Sequence, residues 1–224
     1  TGEHEVQTLT LDEKVGQVFQ VRVSGSTLTE ADRAVIADKH IGGVIYFQWN
    51  GNLDDPTQAA QLSNDLQTAA LGPDSDGIPL LISLDQEGGR VQRFHEPFFR
   101  LPPARTLGYL YDEDAAAGLD AAHAFGWMMA AELRAVGIDL SFAPVVDLDR
   151  KLADVIGDRA LHSGAEATAT LARHFMAGAS AAGMAALRRD LDNRAIDVLA
   201  RQQPVATDLR LWTKRALTSV AMSL

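Results

Sequence analysis

Ten consecutive residues, Asp85-Gln-Glu-Gly-Gly-Arg-Val-Gln-Arg-Phe94, crowd two carboxylates, two guanidinium groups and a glycine pair into one short segment. Carboxylates accept hydrogen bonds from sugar hydroxyls, and arginine presents a rigid fork of donors to a carboxylate or carbonyl oxygen. Gly88-Gly89 lets the backbone turn sharply beside a ligand. The same charges also have an internal use, with Asp85, Arg90 and Arg93 closing the loop as an ion-pair network. As a phosphate signal the glycine pair is weak, because neither GxGxxG nor GxxxxGK[ST] occurs anywhere in the chain.

Other chemistry is harder to assemble. The six histidines, at 4, 40, 95, 123, 162 and 174, lack a metal-ligand spacing such as HExxH. His95 is nearest to the charged segment and reads as a loop residue, while Arg173-His-Phe-Met176 falls inside a predicted helix at a spacing that suits packing. With no cysteine, thiolate catalysis, zinc-thiolate sites and iron–sulfur clusters are excluded.

The elements that must carry these residues alternate. Thr10-Leu-Asp-Glu13 has the form of a capping box and opens a short helix. Val18–Val23 then reads as a strand, Thr29 to about Lys39 as a helix, and Gly42–Phe47 as a compact apolar strand. Asp55-Pro56 caps a helix that should stop at Gly72-Pro73. Ile78–Leu84 is an apolar run of the kind buried on both faces of a parallel sheet, and Asp85 follows at its carboxyl end. Residues 113–136 are Ala-rich and helical, Ile138–Ala143 reads as a fourth strand, and Ser163 with Glu166 repeats the capping-box pattern before a helix ending near Gly183. A fifth strand is expected from Met184, and beyond about 187 the chain turns charged and helical. Such alternation predicts β/α units around a parallel sheet, with function at the carboxyl strand ends. A barrel of eight units needs about 250 residues, so 224 residues with five visible units fall short of one.

Composition limits the partners. The chain is 46% hydrophobic and 22% charged, enough apolar side chain for a sizeable core. A formal charge of -10 repels a phosphate backbone, which disfavours nucleic acid. No run approaches about 18 consecutive apolar residues, so no transmembrane segment is expected.

The segment Asp85–Phe94 resembles the signature loop of glycoside hydrolase family 3, in its bacterial β-N-acetylhexosaminidase branch. Leu11–Gln17, Ile41–Phe47, Leu101-Pro-Pro-Ala104, Ile138–Asp147 and Val155-Ile-Gly-Asp-Arg-Ala160 resemble further landmarks in the family's order, over residues 9–186. The resemblance implies a TIM-like (β/α)8 barrel, incomplete here, with residues 1–224 as a single domain whose stretch 187–224 is atypical. It implies a retaining, exo-acting enzyme that removes terminal β-linked N-acetylglucosamine from cell-wall or chitin-derived sugars, without metal or organic cofactor. By motif, Asp85 would bind sugar hydroxyls, Arg93 would shape the pocket, and Arg159 would contact the substrate. Arg159 has an internal alternative in pairing with Asp158 or Asp147, and Asp147 is expected to order its loop. The small carbohydrate is the expected partner, and the length of chain ahead of Gly42 is more like the family's exported forms than its cytoplasmic ones.

The resemblance stops short of the catalytic groups. The family's Lys-His-Phe-Pro-Gly-His-Gly motif should follow Ala181–Ala185, where this chain reads Ala186-Leu-Arg-Arg-Asp-Leu-Asp192. Asp190–Ile196 resembles the stretch that begins one residue after the nucleophile, which leaves Arg189 in the nucleophile's place, and Asp190 as its only substitute after a register shift. No catalytic residue is therefore assigned. Absence of about a hundred barrel residues between Ala186 and Asp190 accounts for all of these departures. Two alternatives stay open: a catalytically inactive sugar-binding member of the family, and a β-glucosidase.

Overall fold

The computed structural model describes residues 9–72 and 77–184, which fall into two compact units. The first holds residues 9–72, 77–84 and 136–138, and the second holds 85–135 and 139–184.

In the first unit three β/α steps follow one another: α1 (Leu11–Gln17), β1 (Gln20–Val21), α2 (Glu30–Asp38), β2 (Gly43–Ile45), α3 (Pro56–Ala70) and β3 (Leu81–Leu84). The strands are parallel, with Gln20 opposite Gly43 and Val44 opposite Ile82. Val44 and Ile82 are fully buried, as expected for a sheet covered on both faces. Asp55 caps α3 through its carboxylate, which accepts from the N–H groups of Thr57 (2.7 Å) and Gln58 (2.9 Å), with Pro56 at the first helical position. The helix buries Ala59, Leu62, Leu66 and Ala70, one stripe at three- and four-residue spacing.

The strands are shorter than the apolar runs that contain them. Leu80 gives its N–H and carbonyl to the Gln67 side chain (3.0 and 2.8 Å), so β3 starts at Leu81 rather than Ile78. Val18 closes α1 as its C-cap, and the Val23 carbonyl accepts from Asn50 and Asn52 side chains, which leaves β1 two residues.

The capping box at α1 forms as expected. Thr10 N–H donates to Glu13 (2.6 Å) and Glu13 N–H to the Thr10 hydroxyl (3.3 Å). The hydrogen bonds from Thr10 hold the Glu13 carboxyl below its ordinary 4.5. With the folded pKa depressed, its contribution to stability is present above pH 4.5 and is lost as pH falls through the folded value. Titration of Glu13 by carboxyl-carbon NMR should give a midpoint below 4.5, and an ordinary midpoint would contradict the box.

The second unit contains α4 (Arg105–Glu113), α5 (Ala115–Ala135), β4 (Leu140–Ser141) and α6 (Ala165–Ala181). The helix expected over 113–136 forms as α5, with α4 as a separate helix ahead of it. Asp114 divides the two, extended in backbone and capping α5 by accepting from Ala116 and Ala117 N–H (2.9 and 3.1 Å). Helices α5 and α6 meet through glycines: a Cβ on Gly126 would collide with the Phe175 carbonyl, and one on Gly178 with that of His123. Phe175 and Met176 are buried in this contact, so the Arg173–Met176 segment packs as expected.

The capping box expected from Ser163 and Glu166 does not form. Gly164 is the N-cap of α6, and its N–H donates to His162 Nδ1 (2.8 Å). Met184 lies outside any strand, and its expected continuation as a fifth strand falls outside the described residues. Among the described residues no helix is long and apolar enough to cross a membrane.

Candidate functional site

Asp85 is the residue after β3, and the loop it opens is built by buried amides. Gln86, 2% exposed, accepts at Oε1 from the N–H groups of Arg93 (2.7 Å) and Phe94 (3.2 Å). Its own backbone exchanges hydrogen bonds with the hydroxyl of Ser141 on β4, both 3.0 Å. Gln92 donates to the carbonyls of Phe94 (2.8 Å) and Phe99 (2.9 Å) and accepts from Leu101 N–H (3.0 Å). These two glutamines close the loop in both directions, satisfying backbone groups that burial would otherwise strand.

Gly88 makes the turn, with φ +90 and an antiparallel bridge to Val91. A Cβ there would stand 2.6 Å from the Pro102 carbonyl and 2.9 Å from Leu101 Cβ. Gly88→Ala should therefore destabilise the protein by about 1–3 kcal/mol, read as a lower urea midpoint. An unchanged midpoint would mean that the loop relaxes without loss.

The loop's charges are shared between two pairs. Arg93 Nη2 donates to Asp85 Oδ2 at 2.9 Å, with both side chains about a quarter exposed (26% and 28%). Arg93 Nε is buried without a partner, and Asp85 Oδ1 carries no hydrogen bond among the described residues. Arg159, from a 3-10 turn at Gly157–Arg159, grips Glu87 in a bidentate fork: Nε to Oε2 and Nη2 to Oε1, both 2.7 Å. The Glu87 hydrogen bonds hold the Arg159 guanidinium above its ordinary range against the opposing effect of burial, and the charges of Glu87, Asp85 and Asp147 add to this.

Arg90 serves the second pair from behind. Its Nη2 donates to the carbonyls of Asp154, Val155 and Ile156 at 2.9, 2.8 and 3.0 Å, and its Nε lies 3.2 Å from Asp158. Arg159 Nη1 also donates to the Val155 carbonyl (3.1 Å). The turn that presents Arg159 is thus fastened to the signature loop through both Arg90 and Glu87.

Three expectations change here. The internal network expected of Asp85, Arg90 and Arg93 forms only between Asp85 and Arg93, since Arg90 turns to Asp158 and the 154–156 carbonyls. The partner of Arg159 is Glu87, not Asp158 or Asp147. Asp147 makes no hydrogen bond among the described residues and acts on Arg159 only through space. His95 is exposed. Residues 186–192, where the family resemblance puts the proton shuttle and nucleophile, lie outside the described residues. Among the described residues no group of three or more His, Asp or Glu could hold a metal ion.

Comparison with known proteins decides the lineage of this loop. The pattern of the glycosyl hydrolase family 3 N terminal domain matches residues 10–189. The chain belongs to glycosyl hydrolase family 3. Within family 3, it is 46% identical over 166 residues to a protein of Thioalkalivibrio sulfidiphilus named beta-hexosaminidase, covering 74% of this chain and 45% of that one. A family 3 beta-N-acetylglucosaminidase from a Paenibacillus strain superposes with TM-score 0.70 at 39% identity, over 80% of this chain and 32% of that one. NagZ from Neisseria gonorrhoeae, solved in complex with N-trifluoroacetyl-D-glucosamine, gives TM-score 0.67 at 39% identity, over 74% and 46%. The chain spans about half the length of the curated relatives it matches. These matches bear out the expected α/β class of the TIM-like barrel, of which four strands are among the described residues.

Proposed function

We propose that the full-length protein is a retaining, exo-acting β-N-acetylglucosaminidase of cell-wall or chitin-derived sugars, and that this chain supplies its sugar-binding side. The observation that carries the reading is the incomplete pairing of the signature loop. Asp85 spends one carboxylate oxygen on Arg93 and keeps the other for a sugar hydroxyl, while the Glu87 fork and the Val155 carbonyl leave Arg159 with N–H groups to spare. Arg93 sets the position of Asp85 and walls the pocket. The names of the relatives, beta-hexosaminidase and beta-N-acetylglucosaminidase, support the acetamido sugar over glucose.

Retaining hydrolysis also needs a nucleophile on the anomeric carbon and a group that protonates the leaving oxygen and then activates water. No described residue is assigned to either role. The reaction calls for no metal or organic cofactor.

Chromogenic aryl β-N-acetylglucosaminide and aryl β-glucoside, offered in parallel to the full-length protein, separate the readings. Release from the acetamido substrate at much higher kcat/KM supports the proposal. Preference for the glucoside would make the enzyme a β-glucosidase, and no turnover of either by folded protein would leave a sugar-binding relative.

A further inference from the structure

In the first unit, the segments that follow β1 and β2 are tied together by a polar frame. Asn52, 0% exposed, donates to the carbonyls of Val23 (3.1 Å) and Gly25 (2.8 Å) and accepts from Phe47 N–H (3.3 Å). Asn50 adds a side-chain bond to the Val23 carbonyl (3.3 Å), and its own carbonyl accepts from Gly25 N–H (2.7 Å). Gln58, from α3, donates to the Ser26 carbonyl (2.8 Å).

What this frame displays is aromatic. Trp49 sits in a 3-10 turn at Gln48–Asn50 and is 70% exposed. Phe47 stacks on it, with centroids 4.9 Å apart and planes 25° from parallel. The Arg22 guanidinium lies 5.3 Å from the indole centroid and is held by Asn50 Oδ1 (3.1 Å). A lone exposed apolar side chain is ordinary. This one differs, because a buried asparagine and a set of cross-segment hydrogen bonds hold it in place while most of its surface stays in water.

The arrangement has the chemistry of a platform for a sugar ring. The C–H face of a pyranose lies on an aromatic face, and a neighbouring guanidinium donates to a hydroxyl or acetamido oxygen. Arg22 and Phe47–Asn52 follow the carboxyl ends of parallel β1 and β2, the strand ends at which β/α folds carry function.

We propose that Trp49, backed by Phe47 and flanked by Arg22, binds a pyranose ring of a β-linked glycan other than the ring that is cleaved. The proposal rests on the glycosidase reading above, and it makes an oligosaccharide a better ligand than a single-sugar glycoside.

The test uses the full-length protein as wild type, Trp49→Ala and Trp49→Tyr. Binding of a thio-linked N-acetylglucosamine trimer, which resists hydrolysis, is measured by calorimetry, and kcat/KM is measured on methyl β-N-acetylglucosaminide, which has no second ring. Trp49→Ala should weaken trimer binding about tenfold, equivalent to roughly 1.4 kcal/mol, and Trp49→Tyr should recover most of it. Turnover of the methyl glycoside should stay unchanged in both variants. Equal trimer affinity in wild type and Trp49→Ala, with methyl glycoside turnover intact, would overturn the platform and leave the hydrolase standing. Parallel loss of trimer binding and methyl glycoside turnover would also overturn it, since Trp49 would then serve the cleaved ring or the fold. Should wild type fail to turn over the methyl glycoside, the glycosidase reading falls, and the trimer measurement alone upholds or overturns the platform.

Discussion

Asp85→Ala should lower kcat/KM on an aryl β-N-acetylglucosaminide by roughly a hundredfold while leaving the protein folded. The carboxylate stands at the exit of β3 with one oxygen on Arg93 and the other without a partner among the described residues. A hydrogen bond from a neutral donor to such a charge is worth about 1.5–3 kcal/mol, and losing it along with the position of Arg93 adds up to about 3 kcal/mol of transition-state binding. The stability cost is about 1–3 kcal/mol, because Asp85 and Arg93 are each about a quarter exposed (28% and 26%), between a screened surface pair and a buried one. Wild-type kinetics in a folded Asp85→Ala variant would remove Asp85 from the substrate site.

Glu87→Gln should strike stability and binding together. Glu87 is 6% exposed and holds Arg159 through two bonds of 2.7 Å. Glutamine offers one acceptor and turns an amide donor toward a guanidinium N–H, so one arm of the fork becomes a repulsion between donors. Removing the charge from a buried pair leaves the other charge uncompensated, at a cost of about 3 kcal/mol, seen as a lower urea midpoint. Arg159 would still be tied at Val155 by its own Nη1, and Arg90 would still hold the 154–156 carbonyls, so the turn persists while the fork loses its aim. The kinetic signature is a rise in KM, with kcat/KM down by roughly tenfold, or 1.4 kcal/mol. A variant with unchanged midpoint and KM would show that Glu87 does not position Arg159.

Asp85, Arg93 and Arg159 were legible only through the family resemblance of Asp85–Phe94 and Val155–Ala160, because charge at a strand exit serves an internal ion pair as readily as a ligand. The sequence did not expose Glu87 as the partner of Arg159, since the two are 72 residues apart and nearer carboxylates competed for the assignment. Gln86 and Gln92 escaped notice for another reason. Polar residues in a loop read as solvated, whereas both are buried and spend their amides on backbone groups of the same loop. The parallel alternation was legible from apolar runs and caps such as Asp55-Pro56. The strand ends were not, because side chains such as Gln67 and Asn52 take the backbone groups that would have extended the ladders. At α6 the expected Ser163–Glu166 box lost to a local alternative, the His162 ring accepting from Gly164 N–H.

The most direct test of the account is the crystal structure of the full-length protein soaked with N-acetylglucosamine. The account predicts a sugar hydroxyl within hydrogen-bond distance of Asp85, with Arg93 and Arg159 lining the same ring and Glu87 still holding the Arg159 fork. A sugar bound elsewhere, with Asp85 and Arg159 engaged only by their present partners, would contradict it.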